Sequence, residues 1–183
     1  MLMVRPWCMK TKPQTKARFL IRMEATPLLY EKILVRAGRV ELLVRVAHER
    51  FRMTNPSLIA TCLKEFPLLP FHTCHNKKGT TFAAVMNRTS VPHLLEHLIV
   101  YLQVQAIDAL AWKNEQKGNI HKGTDADVII TGTTQWCRED ELLAQVNVSF
   151  TDDLIALAAC NKALEYLNRV LLLSEPNEHI QLN

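Results

Sequence analysis

The sequence predicts an α+β fold in a single domain. An antiparallel or mixed sheet should pack against two or three helices, one of them long and bearing an H-x-x-E-H motif. Three observations carry this reading. Segments rich in valine, leucine and threonine, at Val40–Ala47, Asp127–Arg138 and Leu142–Phe150, have strand composition. Two sites, Asn55-Pro56-Ser57 and Thr89-Ser90 ahead of Pro92, join a capping side chain to a proline in the first turn, which is how helices begin. The length of 183 residues suits one domain with trimmed appendages and is enough to bury a core without staples.

The elements follow in order. Residues 1–16 hold Pro6, Pro13 and several lysines and read as a flexible basic arm. A strand is expected over Ala17–Met23. From Thr26-Pro27 through Arg36 the spacing favours a helix, which Gly38 ends. Val40–Ala47 follows as a strand. A helix capped by Asn55 should run to about Phe66, where Pro67 and Pro70 stop it. His72–Thr81 reads as a loop with lysines and Gly79, and Phe82–Asn87 as a short irregular piece. The long helix should span Val91 to about Lys113. The polar stretch Asn114–Asp125, with Gly118 and Gly123, is a connection. Asp127–Arg138 and Leu142–Phe150 should pair as a hairpin across the acidic turn Glu139-Asp140-Glu141. Thr151-Asp152-Asp153 caps a last helix to about Leu172, with an apolar stripe at Leu154, Leu157, Ala158, Leu164 and Leu167. The domain proper is thus 17–173, and 174–183 is a polar tail.

Composition narrows the function classes. Hydrophobic residues make up 48% and charged residues 22%, ordinary globular usage, so extensive disorder is not expected. The net charge of +4 is mild and no nucleic-acid motif is present, so no nucleic-acid partner is expected. The five cysteines, Cys8, Cys62, Cys74, Cys137 and Cys160, are odd in number and widely spaced, which argues against a disulfide framework and for a reducing, cytoplasmic setting. The apolar run Leu94–Ala111 is broken by Glu96, His97, Gln103, Gln105 and Asp108, so a partly buried helix rather than a membrane span is expected. A homo-oligomer is compatible with this composition.

One motif carries chemistry: His93-Leu94-Leu95-Glu96-His97. At helical spacing the three polar residues share one side, and two imidazoles at i, i+4 can bind one zinc ion. Glu96 between them is the candidate catalytic carboxylate, placed to take a proton from a zinc-polarised water. This is the inverse of H-E-x-x-H and the signature of the inverzincin metallopeptidases. The bland alternative is a helix whose histidines simply pair with Glu96. It must explain why three polar groups interrupt an apolar helix, and a metal would. A catalytic zinc takes three protein ligands. The third should come from Asp152 or Asp153, with N-capping of the last helix the alternative role for one of the pair; Glu165 is a weaker choice. His72, Cys74 and His75 form a second cluster whose H-x-C-H spacing is cramped for one ion, so a structural or substrate-side role is expected for it. Lys77, Lys78 and Arg88 lie near this loop and could meet substrate carboxylates.

The progression Leu69-Pro70, His72, Cys74, Gly79, Phe82, Arg88-Thr89, His93 to Leu98 and Leu102-Gln103 resembles the N-terminal domain of cyanophycin synthetases. Further on, Gly132-Thr133-Thr134 and Val148 to Asp153, followed by Ala158-Ala159, look like that domain's last strand and helix. The resemblance covers roughly Leu58 to Leu172. In that family the domain accompanies an ATP-grasp and a Mur-ligase-like domain that build a polymer of aspartate backbone with arginine side chains. Neither is seen here, no G-x-x-x-x-G-K-[ST] occurs, and five glycines are too few for nucleotide loops. The resemblance implies a domain that holds the polymer or, where the H-x-x-E-H site is a working metallopeptidase centre, cuts it. It would make His93 and His97 zinc ligands, Glu96 the general base and Asp152 or Asp153 the third ligand; apart from the resemblance, His72, Lys78 and Arg88 are candidates to face a charged peptide substrate, the cations having simple solvation as their alternative. The departures are Gly79-Thr80-Thr81-Phe82 where the family has paired glycines, aspartates where it has glutamates, and an N-terminal fifty residues without counterpart. The expectation is therefore a zinc-dependent hydrolase of a charged Asp/Arg-type polymer, the alternative a non-catalytic polymer-binding subunit working beside a separate ligase.

Overall fold

The computed structural model describes residues 26–116 and 129–173. The expected arm 1–16, the strand at Ala17–Met23, most of the 114–125 connection, the first two residues of the 127–138 strand and the tail 174–183 lie outside the described residues. The rest is α+β. A four-stranded antiparallel sheet has the order β1-β2-β6-β5, formed by Leu28–Arg36 (β1), Arg39–Val46 (β2), Gly132–Arg138 (β5) and Leu143–Ser149 (β6). Three α-helices are Pro56–Glu65 (α1), Val91–Gln116 (α2) and Asp153–Leu173 (α3), and a small hairpin joins Thr73–Asn76 (β3) to Gly79–Thr81 (β4).

The helical expectation for residues 26–36 is overturned: the segment is β1. It pairs with β2 from Leu28↔Val46 to Arg36↔Arg39 around Gly38, whose φ of 75° suits glycine. The misleading spacing has a physical cause. A bulge between Tyr30 and Lys32 inserts one residue, so Leu28, Tyr30, Ile33 and Val35 all lie opposite the buried face of β2. That interval of three inside a period-two pattern imitates a helix.

The inner sheet face is aliphatic: Val40, Leu42, Val44 and Val46 on β2, and Ala144, Val146 and Val148 on β6. Against it lie Val91, Leu94, Leu95, Leu98, Ile99 and Leu102 of α2. The stripe expected on α3 is rotated. Its buried residues are Ala156, Ala159, Cys160, Ala163, Tyr166, Leu167, Val170 and Leu171, whereas Leu154 is exposed. The small residues at 156, 159 and 163 fit the buried side, so size rather than hydropathy chose the face. By length and composition Val91–Lys113 could also cross a bilayer, but half of it is buried within the domain, as in a core helix.

The helix starts follow their caps. Asn55 Oδ1 accepts from the Leu58 N–H at 2.9 Å with Pro56 in the first turn, and Asp152 Oδ1 accepts from the Ile155 N–H at 2.9 Å. The His72–Thr81 segment, expected as loop, closes as the β3–β4 hairpin because Asn76 Oδ1 accepts from the backbone N–H groups of Lys78 and Gly79 at 2.8 and 3.0 Å. The β5–β6 hairpin turns through Glu139–Glu141, with Glu139 ion-paired to Arg52 and Leu142 in the left-handed region at φ 54°.

One side chain ties the first strand to the last helix. Asn168 accepts from the Leu28 N–H at 2.7 Å and donates to the Leu28 carbonyl at 3.1 Å, standing in for a neighbouring strand. Leu28 is fully buried, so its backbone has no water to fall back on. Asn168→Ala is expected to destabilise the domain by about 1–3 kcal/mol. Urea denaturation checks this; an unchanged midpoint would refute the clamp.

Candidate metal centre

The polar residues of α2 do not all face one way. His93 and His97 turn toward the β3–β4 hairpin and Phe82, while Glu96 turns toward β5. Each helical residue advances about 100°, which leaves Glu96 and His97 about 100° apart around the axis. The shared-side expectation holds for the two histidines and not for the carboxylate.

Strand alternation supplies the third donor. On β3, Thr73 and His75 are exposed and Cys74 points inward, 6% exposed. Its Sγ lies 3.5 Å from His93 Nε2. Donor atoms of Cys74, His93 and His97 all fall within 4.8 Å of one another, and this buried group could hold a metal ion. Ligand bonds of 2.3 Å for sulfur and 2.0–2.1 Å for nitrogen put a tetrahedral S···N edge at roughly 3.6 Å, so the Cys74–His93 spacing suits an ion. A second observation points the same way. His97 is 4% exposed, and its Nε2 is buried without a hydrogen-bond partner among the described residues. A buried polar atom left so costs about 1–3 kcal/mol, and a metal bond would satisfy it.

Each imidazole is held from its other side. His93 Nδ1 lies 2.7 Å from Thr89 Oγ1, and His97 Nδ1 lies 3.4 Å from His72 Nδ1. Phe82, fully buried, lies against His97 with ring centroids 4.0 Å apart and meets His93 edge-on. His72 stacks on Tyr101. Burial lowers the pKa of His72 and His93; for His97, burial and then the neighbouring histidines push it down to about 3. All three rings are therefore neutral at neutral pH, the form that binds metals.

Glu96, 6% exposed, accepts from Thr134 Oγ1 at 2.5 Å and packs against Gly132. A Cβ at Gly132 would come within 2.5–2.8 Å of the Glu96 side chain, so a glycine is needed for this approach. Burial raises the Glu96 pKa to about 6 although the Thr134 hydrogen bond works against it.

The aspartates take no part in the ligand group. Asp152 caps α3 and Asp153 opens it, both exposed. Asp152 spends its Oδ1 on the Ile155 N–H of its own helix, and the group that could hold a metal ion contains Cys74 where the sequence suggests Asp152 or Asp153. Of the H-x-C-H cluster, His72 is half-buried beside His97, Cys74 joins the ligand group and His75 is outside. Lys77, Lys78, Arg88 and Glu165 are exposed. The H-x-C-H spacing points to Cys74 and its neighbours, but which of them faces inward follows only from the alternation of β3, a segment that reads as loop in the sequence. Nothing in the sequence marked Thr134 or Gly132 as partners of Glu96. Comparison with protein-family models, curated proteins and solved structures gives no match.

Two consequences can be measured on metal-free protein by urea denaturation across pH. Glu96 titrates at about 6 when folded against 4.5 ordinarily, so its contribution to stability is present below pH 4.5 and lost as pH rises through 6. Glu96→Gln should therefore stabilise the domain at pH 8 by up to about 2 kcal/mol and do little near pH 4. His97 has the opposite sign: its folded value of about 3 lies below the ordinary 6.5, so stability falls as pH drops from 6.5 toward 3. A flat profile for the difference between wild type and Glu96→Gln would contradict the first assignment. Gly132→Ala should destabilise by about 1–3 kcal/mol, and the loss should shrink in a Glu96→Ala background, where the obstruction is gone.

Proposed function

We propose that the domain is a zinc-dependent hydrolase acting on amide bonds of a charged, Asp/Arg-type peptide polymer. The observation that carries this reading is the Cys74, His93 and His97 group with an unpartnered nitrogen, whose two histidines share a helix with a buried carboxylate. Among the described residues the group has three members, the number that catalytic zinc sites use while keeping a fourth position for water. Thiolate with imidazole is a donor set that suits zinc. A bound zinc would lower the pKa of water toward 7 and polarise a carbonyl.

In this reading Glu96 would supply the proton chemistry and would have to leave Thr134 and β5, which it faces in the structure, to reach a metal-bound water. A carboxyl titrating near 6 holds a proton and releases it close to neutral pH, as a general base and then acid requires. Thr134 fixes one of its oxygens, and Phe82 closes an apolar wall against the histidines. Lys77 and Lys78 sit on the turn of the hairpin that carries Cys74, and Arg88 precedes α2; all three are exposed and have no acidic partner among the described residues. Such cations suit the carboxylates of an aspartate polymer, in agreement with the resemblance to cyanophycin synthetase N-terminal domains. The thiols at Cys62, Cys74, Cys137 and Cys160 are free, which fits a reducing cytoplasm.

The second reading is a non-catalytic polymer-binding subunit. It is favoured by the placement of Glu96, whose carboxylate is engaged by Thr134 and seated on Gly132. Zinc content by elemental analysis, on protein purified without an affinity tag, tests the first reading. Near-stoichiometric zinc is expected in the wild type, lost in His93→Ala and Cys74→Ser and kept in Glu96→Gln. Hydrolysis of Asp/Arg polymer should fall about 10²–10⁴-fold in Glu96→Gln. A wild type that takes up no supplied zinc would sink the metal reading, and zinc with polymer binding but no hydrolysis would select the accessory subunit.

A further inference from the structure

Resting on the metal reading above, we infer that Thr89 and His72 form a second layer that sets the tautomers of the two ligand histidines. Their distances to the ring nitrogens come in pairs. His93 has Thr89 Oγ1 at 2.7 Å from Nδ1 and Cys74 Sγ at 3.5 Å from Nε2. His97 has His72 Nδ1 at 3.4 Å from Nδ1 and no partner at Nε2.

A neutral imidazole carries one proton and one lone pair, so the partner on one nitrogen decides what the other presents. A metal shared with the Cys74 sulfur takes the His93 lone pair at Nε2, so the ring proton sits on Nδ1, where Thr89 Oγ1 is placed to accept it. His72 Nδ1 accepts the His97 Nδ1 proton in the same way. The reverse tautomer of His97 would bury an N–H at Nε2 with no acceptor, an arrangement native proteins avoid more strictly than an unmatched acceptor. Both rings therefore offer Nε2 to a metal.

Thr89 is itself held without using its side chain. Thr54, buried at 4%, accepts from the Thr89 N–H at 2.8 Å with its hydroxyl. The Thr54 N–H and hydroxyl donate to the Thr89 carbonyl at 2.8 and 3.1 Å. This clamp on the backbone leaves the Thr89 hydroxyl for His93. His72 is fixed by stacking on Tyr101, whose ring also meets Phe66 edge-on. Thr89 and His72 are thus positioning residues.

Removing such a partner typically costs 10–100-fold in metal affinity. Cobalt(II) is the probe, since its visible d–d bands and thiolate charge-transfer band report binding without any activity assay. Thr89→Val keeps the shape and the backbone clamp and removes the hydroxyl; Thr89→Ser restores it. The expected result is 10–100-fold weaker cobalt binding for Thr89→Val, wild-type affinity for Thr89→Ser, and a comparable loss for His72→Phe with the thiolate band still present at saturation. Unfolding curves of the metal-free variants guard against a general loss of structure, which serine would not rescue selectively. Wild-type affinity in Thr89→Val and His72→Phe would overturn this inference while leaving the metal centre intact. A wild type with no cobalt spectrum would overturn the metal reading and this inference with it.

Discussion

A 26-residue helix brings Glu96 and His97 into a core where each must find a partner other than water, with His93 half-buried beside them. Everything around α2 answers that constraint. The sheet offers aliphatic residues to Leu94, Leu95, Leu98 and Ile99, but only Gly132 and Thr134 to Glu96. The β3–β4 hairpin offers Cys74 and His72, and the turn before α2 offers Thr89. The ring nitrogen left over, His97 Nε2, is where this arrangement of partners stays incomplete. A helix that sheds water from polar groups without pairing them loses stability, so the gap reads as a place for a ligand.

The two sides of α2 divide the chemistry. One side gathers neutral donors, because burial makes the charged imidazolium unfavourable and the histidines repel one another's protons. The other side holds a carboxyl whose titration is drawn toward neutrality by the same burial. Two of the three side chains that could hold a metal ion and a buried carboxyl thus stand on one helix, and the third comes from the hairpin packed against it. The hairpin that places Cys74 also presents Lys77 and Lys78 to solvent at its turn, which joins the donor group to a cationic rim.

Much of the frame was legible. The caps at Asn55 and Asp152 and the proline-led start of α2 define helices through local hydrogen bonds, and local rules suffice to find them. The β2 and β5–β6 strands were visible as valine- and threonine-rich runs. β1 was misread because the bulge at Glu31 breaks the two-residue period, and a bulge is a property of a strand pair rather than of one segment. The apolar stripe expected on α3 meets the buried side only at Leu167, because the first turns bury Ala156, Ala159, Cys160 and Ala163, where close packing rewards small residues, and leave Leu154 and Ala158 exposed.

The sequence by itself determined that His93 and His97 share one side of a helix with a carboxyl between them in the chain, since i, i+4 spacing is a local geometric fact. Only the tertiary structure decided the third donor, by turning Cys74 inward on a short strand and committing Asp152 to its own helix. It also decided the state of Glu96, because burial against Gly132 and Thr134 depends on residues 36 and 38 positions away. Ligand spacing along a helix is written in the chain, whereas what closes over that helix follows from how distant segments pack.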